Sequence, residues 1–221
     1  MNAALNTLHN WIAPLNLSPT ARDATIAAAM AVVARPFYTG PMPATYITGP
    51  AGVGKTLLAE QLASLAGAPP MTMTAETVLR HQLAIATKER PAVAVVDNLD
   101  RAPRMSAADD LCDCIEATDA RTLGSAHTTP IRTSWLITSR TPPPTADLAR
   151  RCIPIDLTGA TPAPLAPIDR RAILGALYTL LGAALPVAAD PSSPVGGPCD
   201  AWFAVLAAAG IPTTLASAVP Q

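Results

Sequence analysis

An α/β fold, with a parallel sheet flanked by helices and a small helical region at the C-terminal end, is predicted by three observations. Short β-branched or apolar runs alternate with longer segments of helical period. One run, "AVAVVD" from Ala92 to Asp97, holds no polar residue before its final aspartate, as a strand covered on both faces requires. The stretch "TYITGPAGVGKTLLAEQL", Thr45 to Leu62, passes from a strand-like run through a glycine-rich turn straight into an apolar-periodic segment. The 221 residues suffice for one such domain, and with 50% of them apolar, disorder is not expected.

Element by element, Ser18 is a capping signal for a helix from about Thr20 to Arg35, which Pro36 and the Gly40–Pro41–Pro43 cluster stop. "ATYIT" reads as a strand, and Lys55 to about Leu65 as a helix ended by Gly67 and two prolines. "PMTMT" reads as a short strand, with a helix after it through "AETVLRHQLAIATKE". After "AVAVVD", "SAADDLCDCIEATD" has a helical period. "ARTLGSAHTTPIRTSWLITS" alternates about a Gly–Ser turn signal, predicting a hairpin that leads into the strand "TSWLITS". Beyond "TPPPT" come a helix, "ADLARR", and a strand, "CIPIDL". From Thr158 the chain is proline-interrupted and helical, with a loose linker at "DPSSPVGGPCD". The expected organisation is a helical lead-in at 1–43, a core at 44–158 and a helical, lid-like region at 159–221.

The composition excludes several classes. A formal net charge of −1 argues against nonspecific coating of nucleic acid, which needs many phosphate-neutralising side chains. Cys112, Cys114, Cys152 and Cys199, with His9, His81 and His127, show no zinc spacing, and a disulfide framework is not expected. A reduced, cytoplasmic protein is the reading. "MNAALNTLHNWIAPL" lacks a basic n-region before a long apolar run, so no signal peptide is expected. Ala172 to Ala189 is uncharged and just long enough to span a bilayer, but its glycines, alanines and Pro186 favour a buried helix, and no membrane association is expected.

The chain has two lysines against thirteen arginines, and one of them, Lys55, ends the glycine-rich turn. "GPAGVGKT", Gly49 to Thr56, fits G-x-x-x-x-G-K-[ST] at every fixed position. Glycines let successive amides curl around a phosphate, and the helix that follows adds the positive end of its dipole. Gly49, Pro50, Ala51, Gly52, Val53, Gly54, Lys55, Thr56 and Leu57 are therefore the expected nucleotide-binding residues, for ATP with Mg²⁺. Lys55 would reach the β- and γ-phosphates and the Thr56 hydroxyl the metal. Asp97, ending the apolar strand, is the second expected metal ligand. Asn98 follows it and cannot take a proton. A water-activating base would then lie at Glu76 or Asp100, or hydrolysis is slow.

With both motifs in place, the sequence resembles the helicase-type ATPase domain of replication proteins from plasmids, phages and integrated mobile elements, P-loop ATPases of the AAA+ kind related to superfamily 3 helicases. "ARPFYTGPMPATYITGP", "GKTLLAEQLA", "VVDNLD", "ARTLG", "TSWLITS" and "DLARRCIPIDL" carry the likeness. The family often has asparagine after the second-motif aspartate, as Asn98 is here. The resemblance implies a polar sensor at Thr138 or Ser139, where "TSRT" departs from the family's glycine and asparagines. It implies an arginine finger at Arg150 and Arg151, acting on a neighbouring subunit in a homo-oligomeric ring or filament. It further implies DNA contact through a hairpin at 121–132, with His127 and Arg132 as its candidates, although a plain surface hairpin reads nearly as well. Arg170 and Arg171 would either reach nucleotide from the lid or face solvent.

The leading expectation is an ATP-hydrolysing motor subunit, helicase-like, acting on single-stranded DNA in replication of a mobile element together with a replication partner protein. The alternative is a nucleotide-dependent switch or loader that assembles with a partner without unwinding. A small-molecule kinase is a third reading, disfavoured because no arginine-rich lid is visible.

Overall fold

A computed structural model describes residues 1–74, 79–99, 106–116, 131–160, 169–188 and 199–212. The N-terminal segment folds as α1, Asn2–Ile12, and then α2, Pro19–Ala34. Ser18 starts α2 as its position predicts: the hydroxyl accepts from the Ala21 amide at 3.2 Å, and Pro19 fills the first turn, where no amide partner is lost. All but four residues of α2 are buried, and its run of alanines lets it lie close against the sheet and neighbouring helices.

The sheet has five strands: β1 Ala44–Thr48, β2 Met71–Thr74, β3 Val93–Asp97, β4 Ser134–Ser139 and β5 Cys152–Asp156. All pair in parallel, in the order β2-β3-β4-β1-β5. Every residue of β4 and the first four of β3 are buried, which matches the apolar character of their sequences. Between the strands run α3 Lys55–Ser64, α4 Leu79–Glu89, α5 Ser106–Glu116 and the short α6 Ala146–Arg150. The parallel α/β fold predicted from sequence is thus the observed one. Chain order does not give strand order, however. β4 inserts between β1 and β3, so the chain leaves β1 for the far edge and later passes back over it to β5. Such reversals open a crevice at the carboxyl ends of the strands, where ligands of α/β sheets bind.

The C-terminal region supplies α7, Arg170–Ala188, and α8, Asp200–Ala208. α7 packs on α1, α2 and α8, burying Leu177, Leu180, Leu181 and Ala184 in the same hydrophobic cluster as the sheet. Among the described residues no helix is long and apolar enough to cross a membrane. The fully buried Trp202 of α8 meets Tyr38 edge-on, with ring centroids 5.2 Å apart. All four cysteines are buried thiols, and burial pushes Cys112 and Cys114 up to about 11 and Cys199 to about 12.

Three arginines hold this frame together. Arg35, just past α2, is only 2% exposed. It donates from Nε to the Thr133 carbonyl at 3.3 Å and from Nη2 to that of Ile131 at 2.8 Å. Nη1 reaches the carbonyls of Tyr38 at 3.3 Å and Gly40 at 3.0 Å. Burial, with the nearby Arg132 charge, pushes the guanidinium down to about 10, so it stays a cation at neutral pH. Arg132 also donates to the Tyr38 carbonyl. Arg170 donates to the carbonyls of Ser64 at 3.3 Å and Leu65 at 3.2 Å, complementing the C-terminus of α3. That is the end of α3 opposite the glycine-rich turn.

Several sequence-based expectations fall on residues outside those described. They are Glu76, Asp100, His127 with hairpin residues 121–130, and most of the linker in the C-terminal region.

Candidate functional site

The turn joining β1 to α3 sits at the carboxyl end of the sheet. Gly49 adopts φ 146°, which L side chains rarely do, and a Cβ there would crowd Val53 Cγ1 at 3.0 Å and Leu157 Cβ at 3.1 Å. Val53 is correspondingly buried, so it shapes the loop from behind. Gly54 caps α3 in the left-handed region, at φ 97°, a conformation that glycine adopts without strain. Lys55 bends back over this loop, its Nζ donating to the Gly49 carbonyl at 2.7 Å and the Pro50 carbonyl at 2.8 Å. A cavity of ≈ 340 Å³ opens here, lined by Gly52, Gly54, Lys55 and Thr56 together with Asn98 and Arg140.

Asp97 reaches the loop from β3. Its Oδ1 accepts from the Thr56 hydroxyl at 3.0 Å and from the Thr138 hydroxyl at 2.7 Å. Thr138 in turn accepts from the Asn98 amide at 3.0 Å, and the Asn98 side chain donates to Asp97 Oδ2 at 3.0 Å. The carboxylate is thus fixed by three residues, two of them at strand ends. Asn98 adopts φ 56°, a left-handed conformation that asparagine tolerates, and this turns the chain sharply after β3.

The donor set fits magnesium. Adjacent ligands of an octahedral Mg²⁺ at about 2.1 Å lie about 3 Å apart, and Thr56 Oγ1 and Asp97 Oδ1 are 3.0 Å apart. Among the described residues no group of three or more His, Cys, Asp or Glu could hold a metal, so the remaining positions would fall to phosphate and water, as magnesium prefers. Bound there, the ion would draw charge from the phosphate oxygens. The protein's part is to hold Thr56 and Asp97 in place.

Of the two sensor candidates, Thr138 is the one joined to Asp97. The hydroxyl of Ser139 instead accepts from the Thr141 amide at 3.1 Å and closes the turn after β4. The two finger candidates also differ. Arg151 bonds Glu116 of α5 and Asp147 of α6 and donates to the Asp147 carbonyl at 2.9 Å. Burial alone would lower its guanidinium, but the two carboxylates outweigh it and raise it. Arg150, 69% exposed, pairs only at the surface with Asp147 at 2.8 Å. Both arginines hold the Asp147 carboxyl below its ordinary range, Arg151 more strongly. Arg170, a lid candidate, is spent on the far end of α3.

Arg140 and the anchoring role of Thr138 were missed by sequence reasoning. The signal for Arg140 was present, since it directly follows the sensor strand whose end must lie beside the loop. Removing the Thr138 hydroxyl should be felt at the metal. Thr138→Val keeps the shape but leaves Oδ1 of Asp97 with the Thr56 hydroxyl alone and takes the Thr138 acceptor from the Asn98 amide, and the Mg²⁺ concentration for half-maximal nucleotide binding should rise about 10–100-fold. An unchanged Mg²⁺ titration in the variant would contradict that anchoring role.

A parallel sheet with this loop, lysine, hydroxyl and strand-end carboxylate at its crevice is a P-loop NTPase fold. Residues 45–120, from β1 through α5, match the family described as "ATPase family associated with various cellular activities (AAA)". A solved structure titled "Structural Basis for Katanin Self-Assembly" is similar over 93% of this chain and 83% of that one, at 17% identity and a TM-score of 0.42. No curated protein matches.

Proposed function

We propose that this chain binds ATP with Mg²⁺ and hydrolyses it, as the nucleotide-driven subunit of a homo-oligomer. The observation that carries the reading is the Thr56–Asp97 pair beside the curled loop, 3.0 Å between oxygens, with the Lys55 ammonium folded onto the Gly49 and Pro50 carbonyls of that loop. Hydrolysis needs cationic support where charge develops on the phosphoryl oxygens, and Lys55 and the metal ligands supply part of it.

In its finer form the proposal is a helicase-like motor acting on single-stranded DNA in replication of a mobile element. The sequence resemblance supports this, as does Arg150, whose exposed position suits contact with a neighbouring subunit. A nucleotide-dependent switch or loader is the second reading. Two features favour it: the internal ion pairs of Arg151, and the Asn98 amide group donating to Asp97 where a proton-accepting carboxylate would speed hydrolysis.

One experiment separates these. ATP turnover and solution mass should be measured with and without Mg²⁺ and single-stranded DNA. A motor turns over faster with DNA and loses that rate in Arg150→Ala. A switch changes mass on ATP binding with little turnover. Neither binding nor turnover with ATP–Mg²⁺ would overturn both.

A further inference from the structure

We infer that Arg140 supplies, from within the same protomer, the cation facing the terminal phosphate of a nucleotide held by the loop. The inference rests on the nucleotide-site reading above and extends it to a residue outside both sequence motifs.

Register places the residue. β1 and β4 pair in parallel with Thr48 opposite Ser139, so the residues that follow, Gly49 and Arg140, leave the sheet side by side. Arg140 therefore emerges level with the first glycine of the loop, and it lines the same cavity as Gly52, Gly54, Lys55, Thr56 and Asn98. The turn that presents it is built: Ser139 Oγ accepts from the Thr141 amide at 3.1 Å, so residue 140 stands at the apex of a closed three-residue bend. The base of that bend is anchored, because the neighbouring Thr138 hydroxyl is bound to Asp97.

Its chemistry suits the terminal phosphoryl group better than a second lysine would. A planar fork can take two phosphate oxygens at once, in a fixed geometry that a single ammonium lacks. During hydrolysis the water oxygen bonds to the γ-phosphorus as the bond to the β–γ bridging oxygen breaks. The electron pair leaves on ADP, and the water's protons pass to phosphate and solvent. Arg140 would neutralise charge on the γ-oxygens throughout. ADP lacks those oxygens, so the residue discriminates between the two nucleotides.

The test is calorimetry of wild type, Arg140→Ala and Arg140→Lys with ADP–Mg²⁺ and with a non-hydrolysable ATP analogue, beside turnover. Arg140→Ala should keep ADP affinity within about twofold, which also shows that it folds. Its preference for the triphosphate should fall about 10–100-fold, the loss expected for hydrogen bonds to a charged group. Turnover should fall about 10³-fold or more, as when an arginine is withdrawn from phosphoryl transfer. Lysine should restore part of the preference. Mixing Arg140→Ala with Lys55→Ala protein should not restore turnover, because a residue acting in its own site cannot complement a neighbour's. Restored turnover on mixing, or a triphosphate preference equal to wild type's, overturns the inference while leaving the site intact. If wild type bound neither nucleotide, the site reading itself would fall first.

Discussion

Lys55→Ala is expected to remove most of the nucleotide-induced stabilisation and to lower turnover by about 10²–10³-fold or more. The ammonium is already folded over the loop, donating to the Gly49 and Pro50 carbonyls. A triphosphate offers it stronger, anionic acceptors within the same concavity. Each hydrogen bond to a charged group contributes about 1.5–3 kcal/mol, so affinity for ATP should weaken about 10–100-fold. In a melt at ATP–Mg²⁺ near 100 times the wild-type dissociation constant, wild type gains about 2.7 kcal/mol. A variant binding about 100-fold more weakly gains about 0.4 kcal/mol under the same conditions. For a chain of this length, that contrast is roughly 5–10 °C against 1–2 °C of melting shift. Equal shifts for the two proteins would remove the basis for a nucleotide site at this loop.

The second large effect concerns the frame, far from any phosphate. Arg35→Ala should destabilise the fold by about 3–5 kcal/mol, since it takes the side-chain donor from the carbonyls of Gly40, Ile131 and Thr133, leaves that of Tyr38 to Arg132 alone, and opens a cavity as well. A drop of about 10 °C or more in melting temperature is the corresponding readout. Arg35→Lys should recover only part of it, because a single ammonium cannot span acceptors on both the 38–40 turn and residues 131–133. Melting within about 2 °C of wild type for the alanine variant would mean that the frame does not depend on this residue.

Much of the fold was legible because its signals are local. Ser18 and Pro19 mark the start of α2, and the uninterrupted apolar run of β3 marks a strand covered on both sides. The loop from Gly49 to Thr56 is legible for a further reason: a phosphate cradle demands particular residue types at fixed spacing, so chemistry leaves a mark in sequence. Asp97 could be placed by the end of its strand. Arg35 could not be read in this way. An arginine before a proline at a helix end looks like a solvated terminus, and the partners that make it structural lie up to 98 residues away. Arg170 misled for a similar reason, since nothing near it in sequence shows that its targets are the carbonyls ending α3. Thr138 and Ser139 were indistinguishable as neighbours of one type. In a strand they point to opposite faces, and only the sheet decides which one meets Asp97. Arg140 escaped because its role depends on β4 lying directly beside β1, which is a matter of strand order.

β4 is gripped at both extremities. At one, Thr138 is tied to Asp97; at the other, the Arg35 side chain clasps the carbonyls of Ile131 and Thr133. A strand of six residues spans about 20 Å, and with every one of its side chains enclosed it has no slack along its axis. It is a tie-rod. Movement of the neighbouring elements has to pivot around this rod, for axial travel would strain the anchors at either end together.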